Sequence, residues 1–190
     1  MAVRRIVYCG HPALRRNAQR VREIDADTLK LLEDLAETML EENGLGLAAS
    51  QVAVPEAIVV VRSDPDSDET VELINPRIIE EEGEQEGSEG CLSLPTLRGT
   101  VLRPESVVVE AMDREGAKIV VQGEGLMARC LAHEVDHLHG RLFIDTVDAD
   151  SLCWMTPDSD EESGYRLEKT TVEEAKKAFD RLTRQQEGNE

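Results

Sequence analysis

The chain has 190 residues, 40% of them apolar, and its 21 basic against 40 acidic side chains give a net charge of −19. That length supports one domain with a real core, and two Phe, two Tyr and one Trp leave the core to aliphatic side chains. The acidity argues against nucleic acid as the main partner, since phosphate binding needs a basic patch, and no apolar stretch approaches the roughly 18 residues of a membrane span.

Residues 1–24 contain a Gly10-His11-Pro12 turn and no long apolar segment of the secretory kind, so a soluble cytoplasmic protein is expected. Cys9, Cys91, Cys130 and Cys153 are then expected as reduced thiols. The first helix is predicted over 25–42, where Leu29, Leu32, Leu35, Ala36, Met39 and Leu40 recur at helical steps. Asp25 or Asp27 caps its start and Asn43-Gly44 ends it. Residues 44–51 read as a Gly/Ala-rich loop, and the β-branched run 57–62 as a buried strand. Two short strands, 71–74 and 77–80, flank an Asn75-Pro76 turn. The acidic segments 64–70, 80–89 and 158–162 read as solvated loops. Residues 91–95 are expected to be extended, because the residue before Pro95 avoids the helical region. Residues 106–112 and 117–121 form a hairpin around Asp113-Arg114-Glu115-Gly116. A second helix spans 124–139 and closes at Gly140. A last strand at 141–145, an edge strand at 152–155 and a surface helix at 172–184 complete the chain.

These elements predict an α+β fold with mainly antiparallel sheets around a central helix. Residues 1–148 are expected to form the main domain. Residues 149–190 are an extension, either within the same domain or appended to it.

The central helix contains His133-Glu134-Val135-Asp136-His137. Residues i and i+4 share a helix face, so the two imidazoles can hold one metal ion while Glu134 acts on water at that ion. Leu126, Cys130, His133 and His137 follow steps of four, three and four and form one inward stripe. Asp136 and His139 point away from it. Three origins for a third ligand present themselves. A peptidase pattern places a His six residues after the second, where this chain has Phe143. A downstream carboxylate could come from Glu161, Glu162, Glu173 or Glu174, none in a recognisable context. Upstream, Cys91 follows Gly90, and its thiolate suits a Cys/His/His site with one open position.

Three segments resemble the motifs of peptide deformylases, in that family's order. They are Gly44-Leu45-Gly46-Leu47-Ala48-Ala49-Ser50-Gln51, Glu89-Gly90-Cys91-Leu92-Ser93 and His133-Glu134-Val135-Asp136-His137-Leu138. Pro12-Ala13-Leu14-Arg15, Arg103-Pro104, Asp113, Gly116 and residues 141–145 extend the resemblance, which covers roughly residues 5–147. It implies a metal-dependent hydrolase that removes the formyl group from the N-terminal formylmethionine of new polypeptides and releases formate. Cys91, His133 and His137 would hold the metal, most commonly ferrous iron in this family, with zinc, nickel or cobalt as alternatives. Glu134 would be the general base. Gln51 and the Leu92 backbone N–H would stabilise the oxyanion. Gly44, Leu45, Gly46, Leu126, Arg129 and Cys130 would line the substrate site, and Arg98 would contact the peptide backbone. Ala132 stands where the family usually has Gln, and Ser50 where Pro or Thr is common. A monomer acting on nascent chains is the expected setting, with the acidic linker and final helix either a solvent-facing cap or a transient ribosome contact. Two other readings stay open: a metallopeptidase with a Glu third ligand, and a non-catalytic relative that binds formylated peptides or metal.

Overall fold

The computed structural model describes residues 2–64, 66–161 and 163–188. Helix α1 (Ala26–Glu41) is followed by strands β1 (Gly46–Ala48), β2 (Ile58–Arg62) and β3 (Thr70–Glu82). Then come β4 (Gln85–Cys91), β5 (Leu94–Arg103), β6 (Ser106–Met112) and β7 (Lys118–Glu124). Helix α2 (Leu126–Leu138) precedes β8 (Cys153–Pro157), β9 (Tyr165–Lys169) and α3 (Val172–Glu187). One antiparallel sheet has the order β1-β2-β3-β6-β7 and the other β4-β5-β8-β9. The fold is α+β, as the sequence predicts.

Strand β2 shows how the core is divided. Ile58 and Val60 join Leu32, Leu35 and Met39 of α1 in one cluster, while Val59 and Val61 join Ala128, Leu131 and Leu138 of α2 in another. Alternate side chains point to opposite faces of a strand, so the two helices cover the two faces of β2. Burial on both faces explains why β2 reads as an unbroken apolar run. Helix α1 begins where Asp25 Oδ1 accepts the Thr28 N–H at 2.9 Å, and it ends where Asn43 turns left-handed (φ 53°) and the Gly44 N–H reaches Met39 O at 2.8 Å.

Several elements differ from the sequence expectation. Within 44–51, residues Gly46–Ala48 pair with Val61, Val60 and Val59 as a short strand, and Ala49–Val52 form a 3₁₀ turn. The two short strands around Asn75-Pro76 are one strand, β3, with a bulge between Ile74 and Arg77. Asn75 takes φ 54° there, and its side chain receives the Val21 N–H at 2.8 Å and donates to Val21 O at 3.0 Å. Pro76, which has no N–H, falls where the ladder skips. Leu92 and Ser93 make a tight turn between β4 and β5, where an extended run was expected. Phe143–Asp145 is a 3₁₀ turn and not a strand, because Asp145 Oδ2 accepts the Leu142 N–H at 2.9 Å and folds the chain back.

The C-terminal residues are more integrated than predicted. β8 pairs with β5 through Leu97↔Trp154 and Arg98↔Cys153, which leaves β9 as the edge. The acidic segment 158–162 lies between β8 and β9, with Glu162 outside the described residues. Helix α3 is not merely a surface helix: Ala175 and Phe179 are fully buried with Leu94, Leu97, Leu142 and Phe143. Trp154 packs on Phe179 at a ring separation of 5.5 Å. Phe179→Ala is expected to lower unfolding free energy by about 3–5 kcal/mol in denaturant titrations, the usual range for a buried Phe. A loss below about 1 kcal/mol would show that α3 is not part of the cooperative core.

Candidate metal centre

His133 and His137 project from one face of α2 toward the end of β4, where Cys91 stands. Their ligand atoms all lie within 4.8 Å of one another, the one such cluster found among the described residues. Cys91 Sγ is 3.3 Å from His137 Nε2. Donors about 2.0–2.3 Å from one tetrahedral ion stand roughly 3.3–3.6 Å apart, so the spacing fits a bound metal. Of the other candidate ligands, Phe143 stacks on His133 with ring centroids 6.3 Å apart. Glu174 caps α3 through Thr171, and Glu173 pairs with Lys177. Glu161 lies in the β8–β9 connection, and Glu162 is outside the described residues.

Glu89 supports this cluster from below. Period-two alternation along β4 puts it on the same side as Cys91, facing α2. Only 4% exposed, it accepts from Arg103 Nε at 2.8 Å, Arg129 Nη1 at 2.8 Å and His133 Nδ1 at 2.9 Å. Burial alone would raise its pKa. The hydrogen bonds and charges of His133 and Arg103 outweigh that and bring it down to about 2. The bond to Nδ1 directs His133 to offer Nε2 to a metal. His133 itself is pushed well above the ordinary histidine value: burial opposes protonation, but the neighbouring Cys91 and Glu89 prevail. Anions that hold a proton on a buried imidazole also attract a divalent cation. Arg103 extends the network to Asp136 at 2.5 Å, so Asp136, expected to point away, is ion-paired beside the Glu89 network, one turn from His133, and His139 is exposed.

Glu134 has the opposite environment. Burial raises its pKa to about 7, and its Oε2 has no hydrogen-bond partner. A Cβ on Gly46 would come within 2.6 Å of Glu134 Cγ and Oε1, so only glycine lets β1 lie against this carboxylate. Gln51 donates from Nε2 to Cys91 Sγ at 3.4 Å and to Ser93 Oγ at 3.3 Å, while its Oε1 accepts the Ala48 N–H at 2.8 Å. Leu92 follows Cys91 directly in the β4–β5 turn. Burial pushes the Cys130 thiol well up, so it remains protonated near the site.

A cleft of about 950 Å³ opens over these groups, and Gly44, Leu45, Gly46, Leu92, Arg98, Leu126, Arg129 and Cys130 all line it. Two of them differ from expectation. Leu126, assigned to the inward stripe, is half exposed at the mouth of the cleft. Arg129 turns its guanidinium to Glu89, Gln85 O and Val101 O, so its charge is tied to β4 and β5. A Cβ on Gly90 would meet Arg98 Nε at 2.7 Å.

The sequence profile of the polypeptide deformylase family matches residues 3–151. The chain belongs to the peptide deformylase family. It is 52% identical to the peptide deformylase of Acetivibrio thermocellus over 147 residues, covering 77% of this chain and 85% of that one. The crystal structure of the Legionella pneumophila peptide deformylase aligns over 97% of this chain and 98% of that chain, with TM-score 0.78 and 34% identity. The Synechococcus elongatus peptide deformylase, solved in complex with actinonin, aligns over 76% of this chain and 80% of that one, with TM-score 0.73 and 37% identity. Like its relatives, the chain is a metal-dependent hydrolase, and it removes the formyl group from newly made polypeptides. Among the described residues, no helix is long and apolar enough to cross a membrane.

The sequence reading missed Glu89, placed within a solvated acidic run, and gave Arg103 no role. A pattern signal was available, since Glu89 lies two residues before Cys91 and must share its side of a strand. Glu89→Gln is expected to destabilise the protein by about 3–5 kcal/mol at pH 7, because buried arginines lose their counter-charge. Glu89 is depressed from the ordinary 4.5 to about 2 on folding, so it stabilises above about pH 4.5 and this contribution is lost as pH falls toward 2. Denaturant titrations of chelator-treated protein across that window should show a steeper acid loss in the parent than in Glu89→Gln.

Proposed function

We propose that Cys91, His133 and His137 hold one divalent ion, ferrous iron in the cell, with zinc, nickel or cobalt able to replace it. The mixed thiolate and imidazole donor set, with its 3.3 Å Sγ–Nε2 spacing, supports the ligand assignment. When bound, the ion supplies Lewis acidity toward the formyl carbonyl and toward water. Glu134 takes the proton from the attacking water and returns it to the departing amine. Its unpartnered Oε2 beside the ligand cluster is the observation that carries this role. A carboxyl raised to about 7 by burial both accepts and releases a proton near neutral pH. Gln51 Nε2 and the Leu92 N–H donate to the oxygen that gains charge as the carbonyl carbon becomes tetrahedral.

The substrate is a formylmethionyl peptide, which lies extended along the edge of β1. That strand ends the five-stranded sheet, and Gly44, Leu45 and Gly46 line the cleft beside it. Leu45, Leu126 and Cys130 form the methionine subsite, with Arg129 holding its wall in place from Glu89. Arg98 contacts the peptide backbone. Residues 1–148 are the catalytic part, and 149–190 belong to the same folding unit. The protein acts as a monomer in the cytoplasm on nascent chains. Its transient ribosome contact uses the outer face of α3, where Lys177, Arg181 and Arg184 are exposed at steps of four and three in an otherwise acidic chain.

Formate release from formyl-Met-Ala-Ser by iron-loaded protein, without oxygen, tests the roles. Glu134→Gln is expected to keep stoichiometric metal and lose about 10²–10⁴-fold in kcat, the range for a general base. Cys91→Ser is expected to lose both metal and turnover. Undiminished metal and activity in Cys91→Ser would remove Cys91 from the ligand set.

A further inference from the structure

The N-terminal residues 6–9 run extended between the candidate oxyanion loops and helix α3. Their inner edge bonds to the catalytic side: the Val7 N–H donates to Gln51 O at 2.9 Å and the Cys9 N–H to Ser93 O at 2.9 Å. Gln51 and Ser93 are themselves joined through Gln51 Nε2 and Ser93 Oγ at 3.3 Å. Their outer edge bonds to α3. The Tyr8 N–H donates to Gln186 Oε1 at 3.3 Å, Gln186 Nε2 donates to Ile6 O at 3.1 Å, and Thr183 Oγ1 donates to Tyr8 O at 3.3 Å. A side-chain amide that both accepts from and donates to one backbone stretch takes the place of a neighbouring strand.

The inward stripe of α3 explains why these residues meet. Ala175, Phe179, Thr183 and Gln186 follow steps of four, four and three, so they share a face. Its apolar half anchors the helix in the core. Its polar half reaches the one exposed edge of residues 6–9. Thr183 is 4% exposed, and a Cβ on Gly10 would come within 2.8 Å of its hydroxyl, so the helix and segment are in close contact.

We propose that Thr183 and Gln186 are positioning residues for deformylation: through residues 6–9 they fix Gln51, itself tied to Ser93, where its oxyanion donor must stand. The proposal rests on reading Gln51 as that donor. Oxyanion stabilisation needs donors within a few tenths of an ångström of the developing charge, and a displaced donor weakens the transition state more than substrate binding. The loss therefore falls on kcat and spares KM.

Thr183→Val with Gln186→Met keeps the volume and apolar contacts of both side chains and removes all three hydrogen bonds. In the metal-loaded full chain, with formyl-Met-Ala-Ser, kcat is expected to fall about tenfold with KM within about twofold. Metal content should stay stoichiometric, and amide exchange at Val7 and Cys9 should accelerate. Thr183→Ser keeps the hydroxyl and should match the parent, whereas Thr183→Val alone should not. If the double variant fails to fold, Gln186→Met alone serves the same test. Gln51→Met, alone and combined with the double change, separates the two readings. Alone it should lose about 10²-fold or more in kcat. In that background the α3 changes should add little, because the donor they position is gone. An unchanged kcat in the α3 variant beside a damaged Gln51→Met overturns the positioning role and leaves Gln51 as a donor. An equal tenfold loss in both backgrounds also overturns it, since α3 would then act elsewhere. Full activity in Gln51→Met overturns the donor reading first, and the positioning proposal with it.

Discussion

The buried carboxylate of Glu89 is the constraint on which the rest of the centre depends. Removing a carboxylate from water has a penalty of several kcal/mol, which holds only if partners replace the lost solvation. Glu89 has three: Arg103 from its own hairpin, and Arg129 and His133 from α2. Those bonds fix the rotation of α2 and its register against β4. Once that register is set, Cys91, two residues along the strand, falls beside His137, one turn along the helix. The ligand cluster thus follows from a structural ion network. Arg103 extends the same network to Asp136, one turn from His133 on the helix.

Two buried glutamates near one site end with opposed proton affinities. Glu89 is held at about 2 because donors and positive charges surround it. Glu134 is raised to about 7 because burial dominates and one oxygen lacks a partner. Divergent environments divide labour between like groups, one remaining a permanent anion and the other exchanging protons. Gly46 enforces the second environment. Without a side chain, β1 lies flat against Glu134 and excludes water from it. The glycine therefore shapes the surroundings of Glu134 directly, besides lining the cleft.

Much of this was legible before any coordinates, and the boundary of legibility is physical. α1, β2, the β6–β7 hairpin and α2 have strong periodicity and local caps, and those signals hold. The Asp113 turn is of the same kind, since its side chain binds the Glu115 and Ala117 amides of its own turn. What failed depends on distant partners. Residues 46–48 become a strand only because β2 lies beside them. Asn75 continues a strand because Val21, 54 positions away, satisfies its side chain. Glu89 looks solvated in an acidic run because its counter-charges lie 14 and 40 residues on. The three candidate ligands were accessible because helix spacing and motif order are local patterns. Their support was not.

The same distinction bears on how the site stays ordered. Glu89 is satisfied wholly by protein groups, so the network that aligns α2 with β4 belongs to the folded chain itself. Small zinc modules differ, since in them metal binding and folding are one event. Here the arginine network orients His133, the Gln51 amide faces the Cys91 sulfur, and residues 6–9 tie Gln51 to Ser93 from outside. His133, Cys91 and Gln51 are thus each held by a contact outside the candidate ligand set, whereas His137 Nδ1 has no hydrogen-bond partner. A preformed donor set would lower the ordering cost of binding an ion, and the contact from residues 6–9 holds Gln51 independently of it. Because α3 closes the outermost of these contacts, and its Gln186 also lines the cleft, the C-terminal residues are packed directly against the segment that backs the site.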